Sequence, residues 1–161
     1  MKSAIPRFLG AVSIVVVALT TSADASAPAG RYQVTGGGTD AGTGNGTVYD
    51  TKTKLTWQQT VPSTTYTWAN AKTYCGSAAV STSLGGTGWR LPTLKELQTI
   101  VDYSQSNPSI DSTAFPSTPG NVFWSSSPLA GSSSNAWSVD FGYGYTGNVV
   151  VSNPRYVRCV R

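Results

Sequence analysis

Few residues in this 161-residue chain can do chemistry. There is no histidine, there are two cysteines, Cys75 and Cys159, and among seven acidic side chains Glu96 is the single glutamate. Without histidine the commonest general base near neutral pH is missing, and two thiols alone are too few ligands for a zinc site. The acidic residues are scattered, so no spacing pairs two carboxylates for acid–base work. The sequence therefore predicts a non-catalytic protein with no cofactor and no metal. What remains is the chemistry of contact. Gly142-Tyr143-Gly144-Tyr145 sets two aromatic rings in a turn, with Asn135 and Asn148 nearby in sequence and Arg155 and Arg158 following. Aromatic faces combined with adaptable polar groups are how variable loops make contacts, and arginines match sulfate or carboxylate. Tyr143, Tyr145, Asn135, Asn148, Arg155 and Arg158 are thus the candidate ligand-binding residues. The competing role for the tyrosines is packing on the neighbouring sheet, and for the arginines a solvated surface.

The N-terminus bears on compartment. Lys2 and Arg7 flank the start, an apolar run from Phe8 to Leu19 follows, and Ala23-Asp24-Ala25 offers small residues where a signal peptidase reads. Residues 1–25 are predicted to be a signal peptide, because a run of about a dozen apolar residues is short of the roughly 20 that span a bilayer. No later stretch is apolar enough to span, so no membrane span is expected after cleavage. In an exported chain with an even cysteine count, Cys75 and Cys159 are expected to pair. Cleavage removes Lys2, Arg7 and Asp24 from 11 basic and 7 acidic residues, leaving nine and six. The basic residues are not run together, which argues against nucleic acid as a partner.

The elements that must position these residues follow in order. Residues 26–45 are rich in Gly, Thr, Ala and Ser and predict a flexible lead-in, with only Arg31-Tyr32-Gln33-Val34 resembling a strand. Residues 46–161 form one domain. Gly46–Tyr49 and Leu55–Gln58 alternate and read as a hairpin with Val48, Leu55 and Trp57 inward. From Thr67 the period changes: Thr67 can cap a helix through its hydroxyl, and Trp68, Ala71 and Cys75 recur at i, i+3 and i+7. Residues 77–87 read as a loop.

Trp89-Arg90-Leu91 is a short extended piece, because Pro92 disfavours helical geometry at the residue before it. Thr93-Leu94-Lys95-Glu96 is a capping box, which gives Glu96 a structural role. Leu94, Leu97, Ile100 and Val101 make a core-facing stripe on a helix that ends at Asp102-Tyr103. Residues 104–121 read as a long surface connection. Four strands are then predicted: Val122–Ser126, Ala136–Phe141 with Trp137, Val139 and Phe141 inward, Val149–Val151, and Tyr156–Val160, where Cys159 faces the core and Arg158 the opposite side.

Two early helices, late antiparallel strands and cysteines in the first helix and last strand together resemble the C-type-lectin-like fold, an α+β architecture with one long-range disulfide. More closely, five ordered motifs resemble the bacterial family named for the C-terminal domain of the Legionella collagen-like adhesin. They are GTVYDTKTKLTWQ, GWRLPTLKELQTIVDY, FWSSSP, NAWSVDF and YVRCVR, spanning Gly46 to Arg161. The resemblance implies an exported module that binds rather than catalyses, with sulfated polysaccharide binding known for the named adhesin. The chain departs from that adhesin in lacking collagen repeats. It departs from calcium-dependent lectins in lacking their Glu-Pro-Asn and Trp-Asn-Asp tripeptides.

The resulting expectation is an exported adhesion or binding module whose late-strand loops recognise polysaccharide or another surface ligand. One alternative is a structural or assembly protein with a protein partner. The other is an enzyme like the formylglycine-generating enzymes of related fold, which depend on reactive cysteines with copper. Against it, both cysteines occupy the structural disulfide positions.

Overall fold

Val48 and Trp57 lie opposite one another in register and are both buried, so the predicted hairpin closes with its apolar residues on one face. The structure is a computed structural model describing residues 27–36 and 46–161; the predicted signal peptide lies outside the described residues. The hairpin strands are β2 (Thr47–Asp50) and β3 (Thr56–Gln58). The lead-in is not featureless, because Tyr32–Thr35 form a strand, β1, antiparallel to β2. Arg31 fixes it: its guanidinium donates to the buried Asp50 carboxylate at 2.9 and 3.3 Å and to the Thr99 carbonyl at 2.6 Å.

Three short helices follow among the described residues: α1 (Trp68–Cys75), α2 (Ala78–Leu84) and α3 (Leu94–Gln98). Ala71 and Cys75 of α1 are buried as their spacing predicts. The Thr67 hydroxyl does not cap α1; the first helical N–H, that of Trp68, donates to the Val151 carbonyl at 3.0 Å, a tertiary bond at the helix start. The stretch expected to be a loop holds α2, capped by the Ser77 hydroxyl, which accepts from the Val80 N–H. In α3 the full capping box forms, with Thr93 and Glu96 reciprocally bonded. The helix is shorter than its stripe: the chain leaves helical geometry after Thr99, yet Leu97 and Ile100 are buried and Leu94 and Val101 pack against the same core.

The second sheet is antiparallel, β4 (Val122–Pro128), β5 (Asn135–Asp140) and β6 (Tyr145–Val150), with β5 central. Neighbouring side chains on β4 point to opposite faces, and the sheet separates two apolar clusters. Phe123 joins Val139, Phe141, Leu97, Ile100 and Phe115 on one side; Trp124 joins Ala136, Trp89, Leu91 and Cys75 on the other. Trp137 is only half-buried, whereas its neighbours Ala136 and Ser138 are buried beneath the second cluster. Residues 104–121 are not wholly surface either: Ile110, Ala114 and Phe115 are buried in the first cluster.

The closing segment makes isolated bridges rather than a full strand. Val160 pairs with both Trp57 and Arg90, and Tyr156 pairs with Phe123, so the last residues join the two sheets. Cys159 is bonded to Cys75 with Cα atoms 5.4 Å apart, tying α1 to this segment. The described residues are thus α+β, with two antiparallel sheets, short helices and one disulfide.

Candidate functional site

The turn between β5 and β6 is built around Asp140 and Gly144. The Asp140 carboxylate accepts from the Gly142 N–H and its carbonyl accepts from the Gly144 N–H, both at 2.7 Å. Gly144 has φ +80°, in the left-handed region where a side chain is strained. Tyr143 and Tyr145 flank it and are 64% and 68% exposed. Their rings stack with centroids 6.1 Å apart and planes 29° from parallel. Packing on the sheet is therefore not their role; they present a two-ring apolar face to solvent.

A third tyrosine, which sequence reading treated only as a helix end, stands beside them. Tyr103 is 73% exposed. A Cβ built on Gly144 would lie 2.9 Å from Tyr103 Cε1 and 2.7 Å from Val101 Cγ1, so those two side chains would have to shift to admit any other residue. No sequence signal connects Tyr103 with the turn, because the contact is made by the fold.

Asn135 and Asn148 do meet: Asn135 Nδ2 donates to Asn148 Oδ1 at 3.2 Å. They do not meet the tyrosines. Asn148 lies three residues along β6 from Tyr145, and side chains alternate along a strand, so the asparagine pair occupies the opposite face and farther end. The asparagine oxygen of Asn135 is also engaged by the Ser132 and Ser134 hydroxyls. The four late-strand candidates thus form two pairs rather than one site.

The arginines separate further. Arg155 is half-buried in the closing segment, where its N–H donates to the Tyr66 carbonyl and its side chain reaches the Pro154 carbonyl at 3.4 Å. Arg158 is fully buried, a correction to the expectation that it faces outward. Its Nη1 donates to the Gln58 and Gln59 carbonyls at 2.7 and 2.5 Å, and its Nη2 to the Thr118 hydroxyl at 2.6 Å. Its carbon lies over the Phe115 ring at 4.7 Å. Burial without a carboxylate partner pushes its pKa down to about 9. Arg158 cannot contact a ligand in this fold; it fills the core and saturates three oxygens.

The motif from Trp89 to Glu96 is also architecture. Trp89, Leu91 and Pro92 are buried, and Trp89 Nε1 donates to the Gly85 carbonyl at 3.1 Å. The Arg90 guanidinium and the Thr93 N–H hold the Glu96 carboxyl well below the usual range, at about 2. Among the described residues no group of three or more His, Cys, Asp or Glu side chains is placed to hold a metal ion. No described helix is long and apolar enough to cross a membrane.

Residues 46–161 match the family model described as the Lcl C-terminal domain. The chain belongs to the Lcl C-terminal domain family. The match begins at the hairpin and runs to the last residue, so it covers both sheets' shared core, the disulfide and the tyrosine turn, while β1 lies before it. Membership suggests an adhesin-associated domain. Among curated proteins none matches the chain.

Proposed function

We propose that this Lcl C-terminal domain is an exported, non-catalytic binding module of C-type-lectin-like fold that presents the Tyr143–Tyr145 turn to a polysaccharide at or outside the cell surface. The observation that carries the reading is the pair of rings, 64% and 68% exposed, held stacked by a turn that Asp140 fixes. Tyrosine supplies a large, rigid face at low entropic cost, and an exposed pair is a surface that a ligand can cover with gain. Export is supported by the intramolecular disulfide and the adhesin-associated family. The test is retention of the wild-type protein and of a Tyr143→Ala/Tyr145→Ala variant on a polysaccharide array; retention by the wild type that the variant loses supports the reading, and equal retention contradicts it.

One observation favours a protein partner instead. β6 is the edge of its sheet, exposed along most of its length, and carries neither charge nor proline. Such an edge accepts an added strand. If this reading is right, Thr146→Lys/Asn148→Lys removes a partner that Tyr143→Ala/Tyr145→Ala retains.

A further inference from the structure

Trp137, in the middle of β5, differs from the other four tryptophans. The indole N–H groups of Trp68, Trp89 and Trp124 donate to the Ser125, Gly85 and Tyr66 carbonyls, and that of Trp57 is sealed in the core. Trp137 is half-buried, and its Nε1 is neither enclosed nor hydrogen-bonded to any described residue. That donor is open to a partner from outside.

The strand register sets its surroundings. Trp137 lies opposite Asn148, with Val139 opposite Thr146 on one side and Asn135 opposite Val150 on the other, and residues paired in this way share one face of the sheet. The first apolar cluster covers that face at Val139, and beyond it Thr146, Asn148 and Val150 are exposed. The Ser132 and Ser134 hydroxyls donate to Asn135 Oδ1, which leaves Asn135 Nδ2 to donate to Asn148 Oδ1 at 3.2 Å. Asn148 Nδ2 is then a second donor without a partner among the described residues, directly across the strands from Trp137. None of the six residues of this face is charged. Unpaired N–H donors select a ligand with a strong acceptor, the indole selects an apolar face, and the lack of charge offers nothing to a sulfate or an ammonium group. An acetamido group on a sugar ring meets all three conditions: its carbonyl accepts, its methyl and the ring C–H groups are apolar, and it is neutral.

We propose that Trp137 and Asn148 form a binding site for N-acetylated amino sugars of a neutral polysaccharide, whose acetamido and ring oxygens accept from Trp137 Nε1 and Asn148 Nδ2 while an apolar sugar face covers the indole. The site lies on the opposite face of the sheet from Tyr145 and does not rest on the reading of the Tyr143–Tyr145 turn.

The experiment is calorimetric titration of the full chain with chitin oligosaccharides, with their deacetylated chitosan counterparts, and with cello-oligosaccharides, in which a hydroxyl stands in place of each acetamido group. Variants are Trp137→Ala, Trp137→Phe, Asn148→Asp and Tyr143→Ala/Tyr145→Ala, with thermal melts to check folding. Asn148→Asp keeps the acceptor for Asn135 Nδ2 and removes the free donor; Trp137→Phe keeps a ring and removes the N–H, and carries the test should Trp137→Ala fail to fold. The expected result is binding of the chitin oligosaccharides, at least about ten-fold tighter than the other two series, and weakened about ten-fold by Trp137→Ala and Asn148→Asp. Trp137→Phe should fall between the wild type and Trp137→Ala, and Tyr143→Ala/Tyr145→Ala should match the wild type. Equal or tighter binding of cello- or chitosan oligosaccharides overturns the site, as does no binding of any of the three. Unchanged affinity in the Trp137 and Asn148 variants overturns it too, and a loss confined to Tyr143→Ala/Tyr145→Ala assigns the ligand to the turn. Weakening in both sets of variants supports the Trp137 site and overturns its independence from the turn.

Discussion

Arg90 and Glu96 are joined by two parallel hydrogen bonds, Nη1 to Oε2 at 2.8 Å and Nη2 to Oε1 at 2.6 Å. The same carboxylate accepts from the Thr93 N–H at 2.8 Å, so one side chain closes the capping box and fastens it to the extended Trp89–Leu91 piece. Glu96 has a folded-state pKa lowered from 4.5 to about 2, first by Arg90, with burial next in size and opposing it, and then by the Thr93 N–H and hydroxyl. A depressed carboxyl stabilises the fold above its unfolded pKa and loses that contribution as pH falls through the folded value. The wild type should therefore lose stability between about pH 4.5 and pH 2, and Glu96→Gln should flatten that loss while costing about 1 kcal/mol at pH 7. Arg90 is half exposed, so solvent discounts the pair. Asp50 contributes in the same acid range: burial raises its pKa, but Arg31 and the Lys52 N–H bring it below the ordinary value. Urea denaturation of both proteins across this range checks the difference; identical acid profiles would count against the role of Glu96.

Cys75 and Cys159 are 84 residues apart. Cross-linking a loop of that length restricts the unfolded chain, a stabilisation of about 4.5 kcal/mol in the chain-entropy model. Reduction, or Cys75→Ser/Cys159→Ser, should lower stability by roughly 2–5 kcal/mol. Equal melting temperatures with and without reductant would show that α1 is held by packing alone.

Arg158 is expected to matter for stability and not for binding. Arg158→Met leaves the Gln58 and Gln59 carbonyls and the Thr118 hydroxyl without their donor, at a cost of about 2–4 kcal/mol. At a temperature where the variant is folded, its affinity for any ligand of the tyrosine turn should equal that of the wild type. A selective loss of binding without loss of stability would contradict this placement.

At Gly144 the conformation and the space both exclude a side chain. Gly144→Ala should cost about 1–3 kcal/mol and displace Tyr103, since φ is positive and the new Cβ meets Val101 and Tyr103. Thermal melts give the first, and the near-ultraviolet circular dichroism of the tyrosines the second. A variant as stable as the wild type would mean that the turn relaxes.

The features legible in sequence are those fixed by neighbours along the chain. The capping box needs only Thr93 and Glu96, the hairpin only the alternation around Val48 and Trp57, and both formed. The disulfide was legible from count and compartment. The features missed depend on distant partners. In α2, Val80 is buried and Leu84, four residues on, packs against the same cluster, but a single i, i+4 pair among Ala, Ser and Thr is too short a period to mark a helix. Ile110, Ala114 and Phe115 enter the core from an aperiodic segment rich in proline. Arg158 alternates with Cys159 as an outward residue would, but carbonyls from Gln58 and Gln59 wait on its side. In the candidate site, the tyrosine pair was legible because two residues apart on a turn are neighbours. Tyr103 was not, because it reaches Gly144 only through the packing of the segment after α3 against the β5–β6 turn.

The central claim is that the exposed tyrosine turn binds polysaccharide. Its most direct measurement is the affinity of the wild type and of Tyr143→Ala/Tyr145→Ala for a polysaccharide retained on the array, read beside their melting temperatures. The account predicts at least about ten-fold weaker binding by the variant, with melting temperatures that agree within about 2 °C because neither ring is in the core. Unchanged affinity in a variant with the wild-type melting temperature would contradict it.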